Sequence, residues 1–138
     1  GAPLATGTDS HVGRSLNEEL RWLEYGQRLS TRRRNIAVSP GQPSTGTLLY
    51  TQALAGGLRA CGQGGPAAAD HVLLDGDQPA LAGARAEDVL DRYVFAGNRP
   101  LVLETHVAGQ RVVAGGRHRD HAAIAARYRA TLERLLAD

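Results

Sequence analysis

The sequence predicts a mixed α/β fold, and three features of its hydrophobic pattern support this prediction. Long segments near both ends of the chain carry apolar residues at helical spacing. The region after residue 70 instead contains short apolar runs bounded by Asp and Gly, and two of these runs flank a Gly-containing loop in the manner of a β-hairpin. The 138 residues, 42% hydrophobic and 22% charged, are sufficient for one modest globular domain.

The first predicted elements are a strand and a helix. Residues 4–8 are small and apolar and run into a polar loop, a pattern that favours a buried strand. A helix is predicted over residues 16–29, where Ser15 and Glu18 have the spacing of a capping box. The apolar face of this helix consists of Leu16, Leu20 and Leu23.

A second helix is predicted over residues 47–61, after a loop rich in Ser, Pro and Gly. Gly56 and Gly57 lie inside this helix, although glycine destabilises a helix by about 1 kcal/mol relative to alanine. We therefore expect the backbone here to be in close contact with another segment. Residues 62–69 are rich in Gly, Ala and Pro and indicate a boundary between domains.

The remaining elements are short until the last helix. A strand is predicted over residues 71–75, a short helix over 87–95, and a hairpin of strands 101–107 and 111–114 around a three-residue loop. A final helix is predicted over residues 120–136. Its apolar stripe consists of Ile124, Tyr128, Leu132 and Leu135 or Leu136. So few strands do not close a sheet, so we expect the chain to be part of something larger or to oligomerise.

Composition excludes several classes of function. No apolar run approaches the roughly 18 to 20 residues of a membrane span, and no signal peptide is recognisable. The net charge of +2 is small, and we interpret the cluster Arg32–Arg34 as a solvated helix end, so no nucleic-acid partner is expected. Cys61 is the single cysteine and is expected to be a small buried residue. The absence of methionine hints at truncation.

Several segments together resemble one enzyme family. Residues 7–11, Gly-Thr-Asp-Ser-His, and the helix of residues 18–29 resemble the end of the eighth barrel strand and the following helix of formimidoylglutamate deiminases, members of the amidohydrolase superfamily. The resemblance continues in order through residues 53–57, 69–75, 90–97 and 107–118.

The resemblance implies a C-terminal fragment of a metal-dependent (β/α)8 barrel enzyme, because a whole barrel takes roughly 250 residues. On this basis, residues 1–62 are the end of the barrel, residues 63–118 are the C-terminal share of a flanking β-sandwich, and residues 119–138 are a C-terminal helix. The linker over residues 62–69 is shorter than the family's hairpin, which puts the first sandwich strand in doubt.

The resemblance also implies the chemistry. The family hydrolyses N-formimino-L-glutamate to N-formyl-L-glutamate and ammonia, using a divalent metal, usually zinc, that activates water. Asp9 matches the family's strand-eight aspartate, which lies at the metal and accepts a proton from the attacking water. We expect the whole parent to be a cytoplasmic homodimer that binds a small-molecule substrate. This chain alone lacks the upstream histidine ligands and is expected to be inactive.

Other polar residues receive weaker assignments. Ser10 and His11 are weak candidates for the rim of the substrate pocket; for His11, a loop position at the rim is favoured over ligating the metal or contacting the substrate. Four further histidines fall in strand patterns or near the last helix, without metal-ligand spacing, and are expected to be structural or surface residues. They are His71, His106, His118 and His121.

Alternative functions remain open from the sequence. The parent is either a formimidoylglutamate deiminase or a sibling amidohydrolase such as a guanine aminohydrolase, because the residues that grip substrate lie mostly upstream of this chain. A third alternative is a non-catalytic interaction module that dimerises through exposed apolar helix faces. Binding of nucleic acid through Arg32–Arg34 is the weakest hypothesis.

Overall fold

The computed structural model describes residues 3–10, 12–65 and 69–137. The chain folds as two compact units. The helical unit comprises Gly1–Pro66 and Gly76–Arg99, and the sheet unit comprises Ala67–Asp75 and Pro100–Asp138. The helices are α1 (Leu16–Thr31), α2 (Thr45–Ala60), α3 (Val89–Phe95) and α4 (His121–Leu136), with a 3-10 helix at Pro79–Leu81. The strands are β1 (His71–Leu74), β2 (Val102–Val107), β3 (Gln110–Ala114) and β4 (Arg117–His118), so the predicted α/β class is confirmed.

The predicted helices are present, with boundaries that shift by a few residues. Two local predictions at the start of the chain are wrong. Residues 4–8 form no strand and are only half-buried or exposed, because no second segment pairs with them in the described part of the chain. Ser15 does occupy the N-cap position of α1, but its side chain makes no capping hydrogen bond, so the predicted capping box is not formed.

The helical unit has a buried apolar core where α1, α2 and α3 pack together. Its centre is formed by Leu20, Leu49, Ala53 and Val94, all less than 10% exposed. A carboxylate oxygen of Asp91 on α3 accepts a hydrogen bond of 2.6 Å from a backbone N–H in the first turn of α2. This cross-helix bond satisfies one of the donors that every helix leaves unpaired at its N-terminus.

Gly56 fulfils the expectation of close backbone contact. A Cβ atom at this position would collide with the carbonyl group of Leu4, whereas one at Gly57 would meet nothing within 4 Å. Glycine at position 56 therefore lets the extended N-terminal segment lie directly on α2. This contact explains the glycine at position 56 but not the one at position 57.

The sheet unit contains four antiparallel strands in the order β1-β2-β3-β4. The hairpin between β2 and β3 turns on only Ala108 and Gly109, with φ of 49° and 76°. Positive φ at both central residues is the signature of a type I′ turn, whose twist matches that of the strands. The predicted three-residue loop is therefore one residue too long. The two-residue strand β4 was too short to be recognised in the sequence.

The two faces of the sheet differ in chemistry. One face carries His71 stacked on His106, with ring centroids 4.3 Å apart, beside Glu104. The opposite face carries the apolar side chains of Val72, Leu103 and Val107, which are 47%, 38% and 49% exposed, together with Thr105. Helix α4 is more exposed still, since every side chain described in it except the half-buried Ala125 is exposed. No helix in the described residues is long and apolar enough to cross a membrane.

Candidate functional site

The predicted catalytic residue, Asp9, lies in a turn at the end of the extended segment 4–8. Its side chain is exposed, and its backbone has φ of 37°, in the left-handed region that non-glycine residues seldom adopt. Ser10 follows it in the same turn and is also exposed. His11 lies outside the described residues. Aspartate tolerates this left-handed conformation in turns, and non-glycine residues with this conformation also concentrate at functional sites.

The segment that leads to Asp9 packs against α2 and the core of the helical unit. Leu4 packs against the core of the helical unit, and its carbonyl group lies on Gly56 of α2. After the turn, the carboxylate of Glu18 in the first turn of α1 lies against Gly13. The turn containing Asp9 is therefore fixed between a contact on α2 and the start of α1.

A second carboxylate of the helical unit is far more buried than the sequence suggested. Glu24 on α1 is 1% exposed and forms a 2.7 Å ion pair with Arg28. It also accepts backbone hydrogen bonds from Ile36 at 3.0 Å and Ala37 at 2.9 Å. Burial raises the pKa of the Glu24 carboxyl, but the hydrogen bonds from Arg28, Ala37 and Ile36 outweigh it, so the pKa lies below its ordinary value.

The role of Glu24 is to join α1 to the segment that follows it. The i,i+4 spacing to Arg28 was visible in the sequence, but the two backbone donors come from 12 and 13 residues away. The available signal was that Glu24 falls four residues after the core residue Leu20 and hence on the same helix face. From the sequence, Glu24 received no role beyond its i,i+4 spacing to Arg28, so this anchor was missed.

The four histidines among the described residues belong to no metal site. His71 and His106 lie together on the sheet, where the Nε2 atom of His106 is 2.9 Å from Glu104. His118 and His121 are exposed, and the Nδ1 atom of His118 accepts a 3.1 Å hydrogen bond from the backbone N–H of Asp120. Among the described residues, no three His, Cys, Asp or Glu side chains are placed to hold a metal ion.

Two remaining sequence assignments also have structural outcomes. Cys61 is exposed at the end of α2, so the prediction of a small buried residue is wrong. Helix α2 ends at Ala60, and this leaves the thiol beyond the face that packs into the core. Arg32, Arg33 and Arg34 are exposed after α1, as a solvated helix end requires.

A groove of about 380 Å³ lies beside the extended segment, but Asp9 is not among its lining residues. Its walls are Ala5, Thr6 and Gly7 on one side and α1 residues including Trp22 on the other. Trp22 is 57% exposed, a large unburied area for an aromatic side chain. The groove combines the unpaired edge of an extended segment with apolar side chains, and this combination suits packing against a further element better than holding a polar substrate.

Comparison with known proteins gives two similarities that cover most of this chain. The fold is similar to the crystal structure of an amidohydrolase from Brucella melitensis, with a TM-score of 0.85 and 38% sequence identity, over 96% of this chain and 30% of that one. In sequence, the chain is 50% identical over 123 residues to a protein named formimidoylglutamate deiminase from Pseudomonas aeruginosa. That alignment covers 86% of this chain and 27% of the relative. No protein-family model matches the chain.

These similarities place the chain among relatives of the amidohydrolases, with an α/β fold. Within that class, the predicted resemblance to formimidoylglutamate deiminase is confirmed, and a C-terminal portion is consistent with it. The chain spans less than a third of the length of either relative.

Proposed function

We propose that this chain is the C-terminal part of an amidohydrolase that hydrolyses N-formimino-L-glutamate to N-formyl-L-glutamate and ammonia. The chain supplies Asp9 to the active site, and its remaining residues support that position and the fold. The observation that carries the proposal is the exposed carboxylate of Asp9, in a positive-φ turn at the end of an extended segment. The sequence identity to a deiminase favours formimidoylglutamate over the substrates of sibling aminohydrolases.

The metal implied by the family does not fit the residues of this chain alone. A catalytic zinc site takes about three protein ligands and leaves one position open. The described residues contain no such group, and Asp9 provides a single carboxylate. We propose that the other ligands come from the remainder of the parent. We propose that the isolated chain neither retains zinc nor releases ammonia.

Asp9 has the chemistry required of a proton carrier. Hydrolysis adds water across the C=N bond of the formimino group, and it then breaks the bond to the nitrogen that leaves as ammonia. The water oxygen ends as the formyl oxygen, so both protons of the attacking water have to reach the departing nitrogen, one as water adds and one as ammonia leaves. An ionised carboxylate accepts a proton from oxygen, and the resulting acid donates it to the nitrogen.

The architecture we propose for the parent uses both units of the chain. The helical unit would complete a (β/α)8 barrel, with residues 4–8 as its eighth strand and the groove at Trp22 filled by neighbouring barrel elements. The sheet unit would complete a sandwich, with the apolar face of Val72, Leu103 and Val107 covered by upstream strands. We further propose that the parent is a cytoplasmic homodimer.

The test is an Asp9→Asn substitution in the full-length parent. Loss of the proton carrier should lower kcat/KM for formimidoylglutamate by roughly 10²- to 10⁴-fold, the usual contribution of a general acid–base residue. Because Asp9 is exposed in the 138-residue chain, the same substitution should leave the urea unfolding midpoint of that chain unchanged. Asp120→Asn in the parent makes the same chemical change at an exposed aspartate of the sheet unit and should retain activity within a few-fold.

Three results would contradict the proposal. An Asp9→Asn parent with wild-type kcat/KM would remove the catalytic assignment. Faster hydrolysis of guanine than of formimidoylglutamate by the wild-type parent would favour the sibling class. An intact mass of 14.6 kDa for the native gene product would mean that no larger parent exists.

A further inference from the structure

A small polar cavity lies in the helical unit. It has a volume of about 240 Å³ and is lined by Arg28 of α1, Thr45 of α2, Asp91 and Phe95 of α3, and Asn35 and Pro43 of the connection between α1 and α2. Two of these residues, Arg28 and Asp91, carry opposite charges, yet no ion pair within 4.0 Å joins them in the described part of the chain. Opposite charges that line one small cavity without pairing suit a molecule that carries both charges.

The guanidinium group of Arg28 is held in place by several contacts. Its Nε atom donates a hydrogen bond of 2.7 Å to Glu24, and its Nη2 atom donates one of 3.4 Å to Asn35. Its Cζ atom lies 5.3 Å and 5.6 Å from the ring centroids of Tyr25 and Phe95. The Nη1 atom has no hydrogen-bond partner among the described residues. A fixed guanidinium group therefore retains donors for a carboxylate, whose planar geometry matches its own.

The carboxylate of Asp91 retains an acceptor in the same cavity. Its Oδ1 atom accepts the 2.6 Å hydrogen bond from the backbone N–H of Gly46, whereas its Oδ2 atom has no partner among residues that the structure describes. The charge of Arg28 is already compensated by its ion pair with Glu24, so these two residues and Asp91 together carry one net negative charge. A simple anion is disfavoured there, but a molecule that also brings an ammonium group to Asp91 is not.

The hydroxyl group of Thr45 gives an indication of a ligand that is independent of these charges. Thr45 is only 6% exposed and lines the cavity, and its hydroxyl group makes no hydrogen bond within the described part of the chain. Buried side-chain polar groups in folded proteins almost always have a hydrogen-bond partner, whether protein, water or ligand. A hydroxyl group both donates and accepts, so it suits either end of a doubly charged molecule.

We propose that this cavity binds a small zwitterion, an α-amino acid whose carboxylate accepts from Arg28 and whose ammonium group donates to Asp91. The hydroxyl group of Thr45 bonds the same molecule, and Pro43 and Phe95 form an apolar wall for a small side chain. Cavities for drug-sized ligands have volumes of roughly 300 to 1,000 Å³, so this smaller one suits a smaller molecule. Asp9 does not line the cavity, and the inference does not depend on the proposed function.

Titration of the 138-residue chain with L-alanine, followed by the NMR shifts of its backbone amides, tests the inference. The amides of the residues that line the cavity should shift and approach saturation together. Ethylamine has the same skeleton without the carboxylate, and propionate has it without the ammonium group. Each should bind at least about tenfold more weakly than L-alanine, the factor expected for the loss of one charge-assisted hydrogen bond.

Three variants locate the binding in this cavity. Asp91→Asn preserves an acceptor for the N–H of Gly46 but removes the charge, and should weaken L-alanine binding at least about tenfold. Thr45→Val should weaken it by about threefold to tenfold without lowering the unfolding midpoint, since the hydroxyl group has no protein partner to lose among the described residues. Asp120→Asn, at an exposed aspartate of the sheet unit, is the matched control and should bind like wild type.

Several results would overturn the inference. The absence of saturable shifts up to about 100 mM L-alanine would mean that the affinity is negligible. Ethylamine or propionate that binds as tightly as L-alanine would replace the zwitterion with a simple cation or a simple anion. Wild-type affinity in folded Asp91→Asn would place the binding elsewhere, and the same result in Thr45→Val decides the question where the Asp91 variant does not fold.

Discussion

The helical unit and the sheet unit differ in how much of their apolar surface they bury by themselves. In the helical unit, Leu20 and Val94 are fully buried at 0% exposure, with Leu49 and Ala53 packed beside them. The sheet unit buries Leu101 but leaves its apolar sheet face and the stripe of α4 exposed. The difference indicates that the helical unit holds a core of its own, whereas the sheet unit provides one side of a core whose other side lies elsewhere.

The carboxylates of the two units also differ in how far they are buried. Glu24 is buried in the helical unit and receives an arginine and two backbone donors. Glu104 on the sheet is only partly covered and pairs with Arg111, whose side chain is 56% exposed. A buried carboxylate with complete hydrogen bonding fixes a local geometry, whereas a partly solvated ion pair contributes little. Substitutions in the two units should therefore differ sharply in effect.

The largest difference is expected for leucines. Leu20→Ala removes a fully buried side chain from the core and should destabilise the 138-residue chain by about 2 to 5 kcal/mol. Leu103→Ala makes the same chemical change on the exposed sheet face and should cost much less. Urea unfolding of both variants measures the difference. Equal losses of stability would show that the sheet face is already covered in the isolated chain. They would contradict the difference in burial between the helical unit and the sheet unit.

A smaller difference is expected for the two carboxylates. Glu24→Gln removes the charge that Arg28 and two backbone donors satisfy, and should cost about 1.5 to 3 kcal/mol at neutral pH. Glu104→Gln, which removes one partner of a partly solvated ion pair, should lower the unfolding midpoint much less. Because the folded pKa of Glu24 is lowered, its contribution is complete above the unfolded value near 4.5 and is lost as the pH falls below it.

Unfolding at a series of pH values therefore checks the assignment of Glu24. The stability gap between wild type and Glu24→Gln should narrow steadily below about pH 4.5. Glu104 also has a lowered pKa, caused by hydrogen bonds from His106 and Arg111, so the gap between wild type and Glu104→Gln should narrow in the same direction but by much less. A gap that is constant between pH 7 and pH 3 would contradict a charged Glu24 in the folded state.

The sequence predicted the helices well because their signals are local. The apolar periodicities of α1 and α4 locate both helices to within two residues at each end. The segment of residues 4–8 was predicted wrongly because a strand depends on a partner, and no segment within residues 3–10, 12–65 and 69–137 pairs with it. The hairpin was predicted, but the length of its loop was not. The two-residue loop requires a positive φ at Ala108, and an alanine in the sequence does not indicate that conformation.

The candidate site was predictable only through resemblance. Asp9 in a polar loop is an ordinary turn residue by composition, and its assignment came from its neighbours in the sequence. The burial of Glu24 depends on a chain reversal through Asn35, which has φ of 52° and was not anticipated. Hydrophobic periodicity indicates only which side chains share a face of a helix or strand, so it does not predict contacts between distant segments of this kind.

The smallest predicted effects test how firmly the helical unit holds the segment that leads to Asp9. Gly56→Ala places a methyl group against the carbonyl of Leu4 and should destabilise the chain by about 1 to 3 kcal/mol. Gly57→Ala, one residue later in the same helix, meets no atom within 4 Å and should stabilise it by about 0.5 to 1 kcal/mol. Thermal unfolding should therefore give shifts of opposite sign for neighbouring, chemically identical substitutions.

In the proposed parent, Gly56→Ala and Gly57→Ala distinguish an effect on the position of Asp9 from an effect on stability. Gly56→Ala should lower kcat for formimidoylglutamate even at temperatures where the protein stays folded, because the displaced Leu4 segment carries Asp9 at its end. Gly57→Ala should leave kcat unchanged. Stabilisation by both alanines would mean that the segment is free to move off α2. The helical unit would then hold its own core without holding the turn that contains Asp9, and under the proposed function the remainder of the parent alone would position Asp9.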